Sequence, residues 1–418
     1  MLSVTEARRR IVDGLQPVGT EMCSLAQTHG RVIAAPITAM ITQPPATMAA
    51  MDGYAFRSHE VTDIPATFPI AGTVAAGDVP EAGYPLNQAI RILTGAVMPE
   101  GFDLVVPQED TEADDETVTI HQAAEPGRHI RPRGQDFAEG DQAFAPGHLL
   151  SARDIGLMAA MNVTWAPVYR QPVIGLLATG DEILLPGEPL RDAAIIGSSG
   201  PALEALLKGW GCRLRHLGVA ADNLPSLTQA IEAAAGVDLL VTTGGVSVGT
   251  HDLIRALVAD EPTNPAPGHD GQLDGAVHSQ LDFWRLAMRP GKPLLWGRVE
   301  GMPILGLPGN PVSALVCGLL FLYPAIQKLR GTPVQAMPQH QAVLSAPLPA
   351  NGPREHYLRA TISVDDNQLI ASPCESQDSA RMAILSHSDG LIVHPKQHPA
   401  LAKGDAVSVI RFRDIHGF

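Results

Sequence analysis

The chain has 418 residues, with 29 Lys and Arg against 44 Asp and Glu, and its formal net charge is −15. This length predicts two to four domains at roughly 150 residues each, and the acidic balance argues against nucleic acid as a partner, because phosphate neutralisation needs a basic surface. Four cysteines lie far apart with no paired spacing, which excludes a disulfide framework or zinc site and favours a reducing compartment.

The start of the chain, Met1–Leu15, contains arginines but no apolar stretch of about 7–15 residues, which predicts a helix rather than a signal peptide. The longest apolar run, Ala314–Ile326, is shorter than the roughly 20 residues that cross a bilayer. We therefore expect a cytoplasmic protein without a membrane partner.

The first third, to about Val168, is predicted to be mostly β. A helix is also expected at Ser151–Ala160, where Ser151 is a suitable N-cap. Pro and Gly separate short β-branched runs, which include Thr67–Val74, Ala89–Leu93 and Thr117–Ile120.

From Pro172 the pattern changes to buried strands that alternate with amphipathic helices, which predicts a parallel sheet covered by helices. Ligands of such sheets bind beyond the carboxyl ends of the strands. The segments in order are Val173–Leu177, Pro201–Leu207, Arg213–Val219, Leu224–Ala235 and Val237–Thr242.

A linker is predicted from Gly331 to Pro338, followed by a new domain. Its segments alternate in the manner of a small β-barrel or sandwich, at Gln341–Ser345, Tyr357–Val364, Gln368–Ser372, Gly390–His394 and Ala406–Phe412.

The strand Val237–Thr242 runs into a glycine-rich turn and then a helix. Gly244, Gly245 and Gly249 allow the backbone to approach a phosphate closely, and the helix N-terminus favours negative charge. Ser247 can donate a hydrogen bond to the same ligand. A plain strand–helix turn is the alternative, since glycine-rich turns are common.

Two further segments are candidates for binding anions. In Leu307–Ser313, Asn310 predicts a helix cap, Pro311 the first helical position, and Ser313 lies in the first turn. Arg289–Lys292 places two cations around a Pro-Gly turn, where they can clamp a tetrahedral oxyanion. The alternatives are an ordinary helix start and a surface turn with solvated charges.

Carboxylates follow the predicted strands at the same edge of the sheet. They are Asp181, Glu182, Asp222 and Asp252. Carboxylates beside a phosphate site suggest Mg²⁺, which prefers oxygen ligands and substrate phosphates. Each could instead cap a helix, and for Asp222 that alternative stays open because Leu224-Pro225 follows it.

Three motifs of the first third contain polar or basic residues. Met51–Ala55 includes Asp52, and Arg91–Ala96 ends a strand at Thr94, but neither motif is diagnostic by its chemistry. Arg128–Gly134 is the most basic stretch of this acidic chain, so it is either a steering surface for an anionic ligand or a solvated loop.

Taken together, seven motifs resemble, in order and spacing, those of the molybdopterin molybdenumtransferases, the MoeA and gephyrin E-domain family. The resemblance covers nearly the whole chain, and seven ordered motifs are far more specific than any one of them. They read MDGYA, RILTGA, IRPRGQD, ATGDE, TTGGVSVGTHD, MRPGKP and GLPGNPVSA.

The resemblance implies an α/β and β multidomain fold and an elongated homodimer. Residues 1–45 with 141–170 would form a split N-terminal linker-type domain, and residues 46–140 an inserted β domain. Residues 171–331 would form a central parallel-sheet α/β molybdopterin-binding domain like that of molybdopterin adenylyltransferases. Residues 338–418 would form a C-terminal β-barrel.

The resemblance also implies a reaction in molybdenum cofactor biosynthesis. Molybdate is inserted into adenylylated molybdopterin in the presence of a divalent cation, predicted to be Mg²⁺, and AMP is released. The expected partners are these two substrates and a second copy of the chain. A molybdopterin adenylyltransferase and cofactor-receiving proteins are further candidates.

Carried over residue by residue, the resemblance assigns molybdate binding to Arg289, Lys292, Pro293, Ser313, Arg354 and Ser379. It assigns the pterin nucleotide to Gly244, Gly245, Ser247 and Gly249, and the metal to Asp222 and Asp252. It gives catalytic roles to Asp222, Asp252, Glu182, Asp52 and Thr94, the last two supplied by the partner subunit. Arg359 is an alternative to Arg354.

The chain departs from the family pattern in three places. Arg289 stands where lysine is frequent, which exchanges a point cation for a planar fork. Ile196–Gly200 replaces a segment that usually contains Asp-Ser/Thr-Asn. Glu261–Ser279 is predicted to be an exposed insertion.

Other functions remain open at this point. A scaffolding protein without turnover is disfavoured by Asp222, Asp252, Lys292 and Ser313. An adenylyltransferase or an amidohydrolase-associated domain is disfavoured by the MDGYA region and the C-terminal β domain. A paralogue that loads another metal, or that acts on a nucleotide-extended pterin, stays an alternative.

Overall fold

The computed structural model describes residues 1–122, 125–246, 253–259, 279–415 and 417–418. Its contacts divide the chain into two compact units. The C-terminal unit consists of Met1–Glu21, Gly30–Ala34 and Val168–Phe418, and the N-terminal unit of Met22–His29 and Ala35–Pro167. The predicted four-domain boundaries stay a prediction, because a division into two units does not test them.

The described part of the first 170 residues is mostly β, as predicted. Its helices are α1 (Val4–Asp13) and α2 (Ala152–Ala160), and 3₁₀ turns lie at Leu25–Gln27, Ser58–Glu60 and Gln108–Asp110. Its strands are β1 (Thr20–Ser24), β2 (Ile37–Thr38), β3 (Met48–Ala49), β4 (Gly53–Phe56), β5 (Ala66–Val74), β6 (Ala89–Ile92), β7 (Leu104–Pro107), β8 (Thr111–Ala113), β9 (Thr117–Ile120), β10 (Ile130–Arg131), β11 (Gln142–Phe144) and β12 (Trp165–Tyr169).

The N-terminal unit is built around a six-stranded mixed sheet in the order β7-β4-β6-β5-β9-β8. Tyr54 and Phe56 of β4 belong to one hydrophobic cluster, whereas Ala55 belongs to another. Because successive side chains of a strand point to opposite faces, the sheet is covered on both sides. The predicted cap of α2 is confirmed, since Ser151 and Asp154 form a capping box.

The next part of the chain alternates strands and helices. Its helices are α3 (Ser199–Gly209), α4 (Leu224–Ala233), α5 (Leu253–Ala259), α6 (Pro311–Cys317) and α7 (Tyr323–Leu329), with a π-helical segment, Gly318–Leu322, joining the last two. Its strands are β13 (Val173–Thr179), β14 (Ile183–Leu184), β15 (Ile195–Ile196), β16 (Arg213–Ala220), β17 (Leu239–Thr243), β18 (Ser279–Arg285), β19 (Met288–Arg289), β20 (Pro293–Val299) and β21 (Met302–Leu307).

These strands form a six-stranded sheet in the order β16-β13-β17-β21-β20-β18. The first four strands are parallel, as predicted, whereas β20 and β18 pair antiparallel at one edge. All five residues of β17 are buried, which explains its continuous apolar run in the middle of a sheet covered by helices.

The helices of this sheet bury the apolar stripe that their sequences predict. In α3, Leu203, Leu206 and Leu207 are buried at spacings of three and four residues, which is one face of a helix. In α1, Ile11 is buried and belongs to the same core cluster as Ile174 of β13. The opening helix therefore packs within the C-terminal unit.

The end of the chain forms the predicted β-barrel. Strand β22 (His340–Leu344) is followed by β23 (Glu355–Asp365), β24 (Gln368–Pro373), α8 (Met382–Ser386), β25 (Gly390–His394), β26 (Ala406–Arg411) and a 3₁₀ turn at Phe412–Asp414. The order β23-β24-β22-β26-β25 closes because β25 also pairs with β23. Strand β19 pairs in parallel with β23, which connects the barrel to the α/β part.

One helical stretch, Pro311–Leu329, is long and apolar enough by composition to cross a membrane. In this structure 83% of its apolar window is buried inside the protein. Its apolar residues therefore belong to the core of the C-terminal unit.

Candidate active site

The glycine turn after β17 is the first predicted anion loop. Gly244 has φ +90°, and a Cβ placed there would lie 2.7 Å from the carbonyl oxygen of Thr179. Only glycine fits this turn without displacing backbone. The Gly244 N–H donates to the carbonyl of Leu307 at 3.2 Å. The turn therefore lies beside the end of β21.

Gly245 completes the described part of this loop. Its φ is +64°, and a Cβ there would lie 3.0 Å from Thr179 Oγ1. The other residues predicted for this loop, Ser247, Gly249 and Asp252, lie outside the described residues.

The second predicted loop connects β21 to α6. Asn310 is the N-cap residue and Pro311 lies in the first turn, as the sequence predicts. Ser313 is buried at 4% exposure, and the preceding Val312 N–H donates to the carbonyl of Ser379 at 3.1 Å. Asn310 Nδ2 also donates to Ser379 Oγ at 3.0 Å. Ser379 is thereby held against the first turn of α6.

The Arg289–Lys292 turn lies between β19 and β20. Gly291 has φ +98°, and a Cβ there would lie 2.3 Å from the Sγ of Cys317 in α6. The turn is thus fitted against that helix, while the side chains of Arg289 and Lys292 are exposed. Pro293 opens β20 and is half-buried. Of the two interpretations, the structure favours a supported turn that presents two cations, and it disfavours a loose surface loop.

Arg289 is connected to the barrel through a buried asparagine. Arg289 Nη2 donates to Asn351 Oδ1 at 3.4 Å, and Asn351 Nδ2 donates to the carbonyls of Arg354 at 2.8 Å and His394 at 3.0 Å. Asn351 is only 7% exposed. The Asn351 side chain therefore binds both the Arg289 guanidinium and the backbone carbonyl of Arg354.

The two candidate arginines of the barrel have different environments. Arg354 is half-buried, whereas Arg359 is 2% exposed. Arg359 donates to the backbone carbonyls of Ser376, Asp378 and Arg381. Burial lowers the pKa of Arg359 from its ordinary value. These contacts favour Arg354 over Arg359 as the arginine available to a ligand.

His356 lies opposite Arg289 in the pairing of β19 with β23. Burial lowers the pKa of His356 to about 3, and the positive charge of Arg289 contributes to the shift. His394 and the guanidinium groups of Arg354 and Arg359 act in the same direction. His356 is therefore neutral at physiological pH, and the positive charge here is that of the arginines.

The carboxylates predicted at the sheet edge lie after β13 and β16. Asp181 Oδ1 accepts a hydrogen bond from the Asp222 N–H at 3.1 Å, which joins the two loops. Glu182 is exposed, and its carbonyl accepts from the Ile195 N–H at 2.7 Å.

Asp222 is not the residue that caps α4. Asn223 is the N-cap of α4, and its side chain accepts from the Ser226 N–H at 2.9 Å. Within the described ranges, no group of three or more His, Cys, Asp or Glu side chains is arranged to hold a metal ion.

In the N-terminal unit, Asp52 and Thr94 are in direct contact. Asp52 Oδ1 accepts from the Thr94 N–H at 2.6 Å and from Thr94 Oγ1 at 2.7 Å. These two hydrogen bonds lower the pKa of Asp52 from its ordinary value, so its carboxylate is ionised at neutral pH. Both side chains are exposed.

The three motifs of the N-terminal unit come together around β3. The Ala49 N–H donates to the carbonyl of Ala96, and the Ala50 N–H donates to the carbonyl of His129. Strand β10, which contains Arg131, pairs antiparallel with β3. The basic stretch therefore lies beside the loops that contain Asp52 and Thr94.

Sequence reasoning did not single out Asn351 or Gln377, and it named Arg359 only as the alternative to Arg354 for binding molybdate. A buried asparagine before a Gly-Pro turn has no distinguishing local pattern. Arg359 offered a weak signal, because a charged residue in the middle of an apolar strand must find polar partners when it is buried.

Three family models match successive parts of the chain. The MoeA N-terminal region (domain I and II) matches residues 2–162, and the probable molybdopterin binding domain matches residues 175–328. The MoeA C-terminal region (domain IV) matches residues 341–412.

Full-length relatives agree with these models. The chain is 31% identical to a molybdopterin molybdenumtransferase of Haemophilus influenzae, with 100% of both chains covered. It is 30% identical to the enzyme of that name from Bacillus subtilis, over 100% of this chain and 95% of the relative. A solved molybdopterin biosynthesis MoeA protein from Pyrococcus horikoshii superposes with a TM-score of 0.82 at 26% identity, covering 99% of each chain.

These matches confirm the resemblance drawn from the seven motifs, and the structure has the α/β part and the closed barrel that it implied. The chain belongs to the molybdopterin molybdenumtransferase family, the MoeA transferases of molybdenum cofactor biosynthesis.

Proposed function

We propose that this chain inserts molybdate into adenylylated molybdopterin, with release of AMP and formation of molybdenum cofactor. The observation that carries the proposal is the hydrogen bond from the Gly244 N–H to the Leu307 carbonyl. It places two predicted anion loops side by side at the carboxyl ends of adjacent parallel strands, where ligands of α/β sheets bind.

The glycine turn is proposed to bind the phosphates of the pterin nucleotide. Gly244 and Gly245 present backbone without side chains, and such turns allow close approach of a phosphate. Ser247 and Gly249 are proposed to continue this surface, although they lie outside the described residues. Glu182, on the neighbouring loop after β13, is proposed to act close to the same ligand.

The Arg289–Lys292 turn, which we call the cation turn, is proposed to bind molybdate through Arg289 and Lys292, with Pro293 at its end. Two cations on a turn supported by α6 suit a tetrahedral dianion, because charged hydrogen bonds to an oxyanion are stronger than neutral ones. Ser313, Arg354 and Ser379 are proposed to complete the pocket. The contacts of Ser379 with Asn310 and Val312 support this grouping.

Mg²⁺ is proposed as the divalent cation, with Asp222 and Asp252 as its ligands. Asp222 follows β16, and the hydrogen bond from its backbone N–H to Asp181 Oδ1 joins its loop to the loop after β13 at the same sheet edge. Mg²⁺ typically takes one or two carboxylates together with substrate phosphates and water, so this set suits it. When bound, the ion would neutralise charge on the phosphates as AMP leaves.

The active form is proposed to be a homodimer in which Asp52 and Thr94 act from the partner subunit. Their mutual hydrogen bonds keep the Asp52 carboxylate ionised and oriented, which suits contact with a nucleotide or a metal-bound group. Sedimentation at micromolar concentration tests the assembly. A strictly monomeric yet fully active protein would contradict the shared site.

The reaction itself is tested by incubating the purified chain with adenylylated molybdopterin, Mg²⁺ and molybdate and following AMP. We expect AMP release that depends on molybdate and saturates with it. A scaffolding protein of the same fold would release none. A paralogue for another metal would respond to tungstate or a different oxyanion in place of molybdate.

Location and partners follow from this function. A cytoplasmic enzyme that receives its pterin from a molybdopterin adenylyltransferase and delivers cofactor to receiving proteins fits the acidic, cysteine-poor composition. Fractionation of cells that express the tagged chain checks the location.

A further inference from the structure

The loop between β24 and α8, residues 374–381, contains Ser379 and is held from the barrel side by one buried arginine. We call it the serine loop. Arg359, on β23, donates from Nη1 to the carbonyl of Arg381 at 3.2 Å. Its Nη2 donates to the carbonyls of Ser376 at 3.1 Å and Asp378 at 3.0 Å. One guanidinium therefore fixes the backbone on both sides of Ser379.

A glutamine of the loop completes the attachment. Gln377 Oε1 accepts from the Arg359 N–H at 2.9 Å, and Gln377 Nε2 donates to the carbonyls of Arg359 at 3.0 Å and Cys374 at 3.2 Å. The Cys374 N–H donates back to the Arg359 carbonyl at 2.9 Å. The Gln377 side chain therefore binds both the backbone N–H and the backbone carbonyl of Arg359.

The far side of the serine loop meets the α/β part. The Val312 N–H donates to the Ser379 carbonyl at 3.1 Å, and Asn310 Nδ2 donates to Ser379 Oγ at 3.0 Å. Ser313 follows directly in the same helical turn. A continuous set of hydrogen bonds therefore connects Arg359, through the serine loop, to the start of α6.

The chemistry of the guanidinium explains why an arginine occupies this position. It offers five N–H donors in a planar fork, whereas a lysine ammonium is a compact charge that cannot span several carbonyls of one loop in fixed directions. Arg359 is also 2% exposed, so an incoming anion would have to break its carbonyl contacts to reach it.

Building on the function proposed above, we infer that Arg359 and Gln377 are positioning residues that set Ser379 and the first turn of α6 at the molybdate pocket, while Arg354 is the barrel arginine that contacts the anion. Loss of either contact would loosen the serine loop without removing a group that touches molybdate. The expected consequence is weaker molybdate use with little change at the glycine turn.

The test compares Arg359→Lys and Gln377→Glu with a matched control, Arg298→Lys. Arg298 also donates to two backbone carbonyls, those of Gly301 at 2.8 Å and Gly14 at 2.7 Å. It lies near the end of β20 that is remote from Lys292, and neither of these hydrogen bonds involves the serine loop. Each variant is assayed for AMP release against molybdate concentration, for equilibrium binding of the pterin nucleotide, and for thermal unfolding.

We expect Arg359→Lys and Gln377→Glu each to raise the molybdate concentration for half-maximal rate by about tenfold, the effect of one lost charged or buried hydrogen bond. Pterin-nucleotide affinity should stay within about twofold, and the maximal rate at saturating molybdate should largely be kept. Arg298→Lys should lower thermal stability and leave the molybdate dependence unchanged. The double variant should fall short of the product of the single effects, because both residues act on one loop.

Three results would overturn the inference. A loss of thermal stability with unchanged molybdate dependence would make Arg359 a structural residue only. An effect of Arg359→Lys without any effect of Gln377→Glu would make Arg359 a direct ligand. An equal loss for molybdate and pterin nucleotide would show a general disturbance of the unit.

Failure of the proposed function gives a different pattern. If the wild type releases no AMP, the inference is read from equilibrium dialysis of molybdate alone. Wild-type binding that weakens in Arg359→Lys and Gln377→Glu, but not in Arg298→Lys, supports the positioning role. Equal binding by all four proteins, or no binding by the wild type, overturns it.

Discussion

The glycine turn at Gly244 and the cation turn at Gly291 both require glycine, but for different reasons. At Gly244 a Cβ would meet both the backbone carbonyl oxygen of Thr179, at 2.7 Å, and its Oγ1, at 2.8 Å, whereas at Gly291 it would meet the side-chain Sγ of Cys317 at 2.3 Å. In the proposed function the first turn would present backbone to the nucleotide, and the second would present the side chains of Arg289 and Lys292 to molybdate. The comparison teaches that the first turn is constrained by backbone that no substitution of Thr179 removes, whereas the second is constrained by a single side chain.

The largest effect on activity is expected from a substitution at the proposed Mg²⁺ site. Asp252→Asn should reduce AMP release by roughly a hundredfold or more, because loss of the proposed metal ligand would remove several kcal/mol of charge stabilisation. The fold should be intact, which circular dichroism and thermal unfolding check. Unchanged turnover at saturating Mg²⁺ would refute the role of Asp252.

A pair of glycine variants separates the two turns. Gly291→Ala should destabilise the protein by about 2–4 kcal/mol, from overpacking and a positive φ, and Cys317→Ala in the same chain should restore part of that loss. Gly244→Ala should cost a similar amount, but Thr179→Ala should restore a smaller part of it, because it removes Oγ1 and leaves the Thr179 carbonyl oxygen 2.7 Å from the new Cβ. Denaturant unfolding of the four variants measures this. Equal rescue at both turns would contradict the distinction.

The free energy of unfolding should depend on pH through His356, which lies opposite Arg289 of the cation turn. His356 has a folded-state pKa near 3 and an ordinary value of 6.5, so the unfolded chain binds its proton first as pH falls. The stability linked to His356 is therefore complete above pH 6.5 and is lost as pH falls towards 3.

His356→Gln should remove this contribution, whose slope is at most about 1.4 kcal/mol per pH unit. Unfolding free energies measured at several pH values, for wild type and variant, check it. Identical slopes in the two proteins would show that His356 is not held neutral by its surroundings.

The sequence predicted the glycine turn, the Asn310 cap and the barrel strands because each depends on local chemistry. Turn glycines, capping residues and alternation are properties of neighbouring residues. The antiparallel edge formed by β18 and β20 was not foreseen, because pairing direction is decided by partners distant in the chain. The insertion predicted at Glu261–Ser279 lies almost entirely outside the described residues.

The proposed molybdate pocket shows the same limit at the level of single residues. Arg289 and Asn351 are 62 positions apart, and their contact depends on the parallel pairing of β19 with β23. The choice between Arg354 and Arg359 could not be made from their spacing, because it depends on which guanidinium is occupied by carbonyls of the serine loop. Such information belongs to tertiary packing.

The central claim is that the two turns bind different substrates, the pterin nucleotide on the glycine turn and molybdate on the cation turn. Molybdate titration of AMP release by Lys292→Ala, together with its pterin-nucleotide affinity, tests this most directly. A cation bonded to an oxyanion contributes about 1.5–3 kcal/mol, so half-maximal molybdate should rise roughly ten- to hundredfold while nucleotide affinity changes little. An equal loss for both ligands would place Lys292 on the nucleotide phosphates, and no change in either would reduce the cation turn to a surface feature.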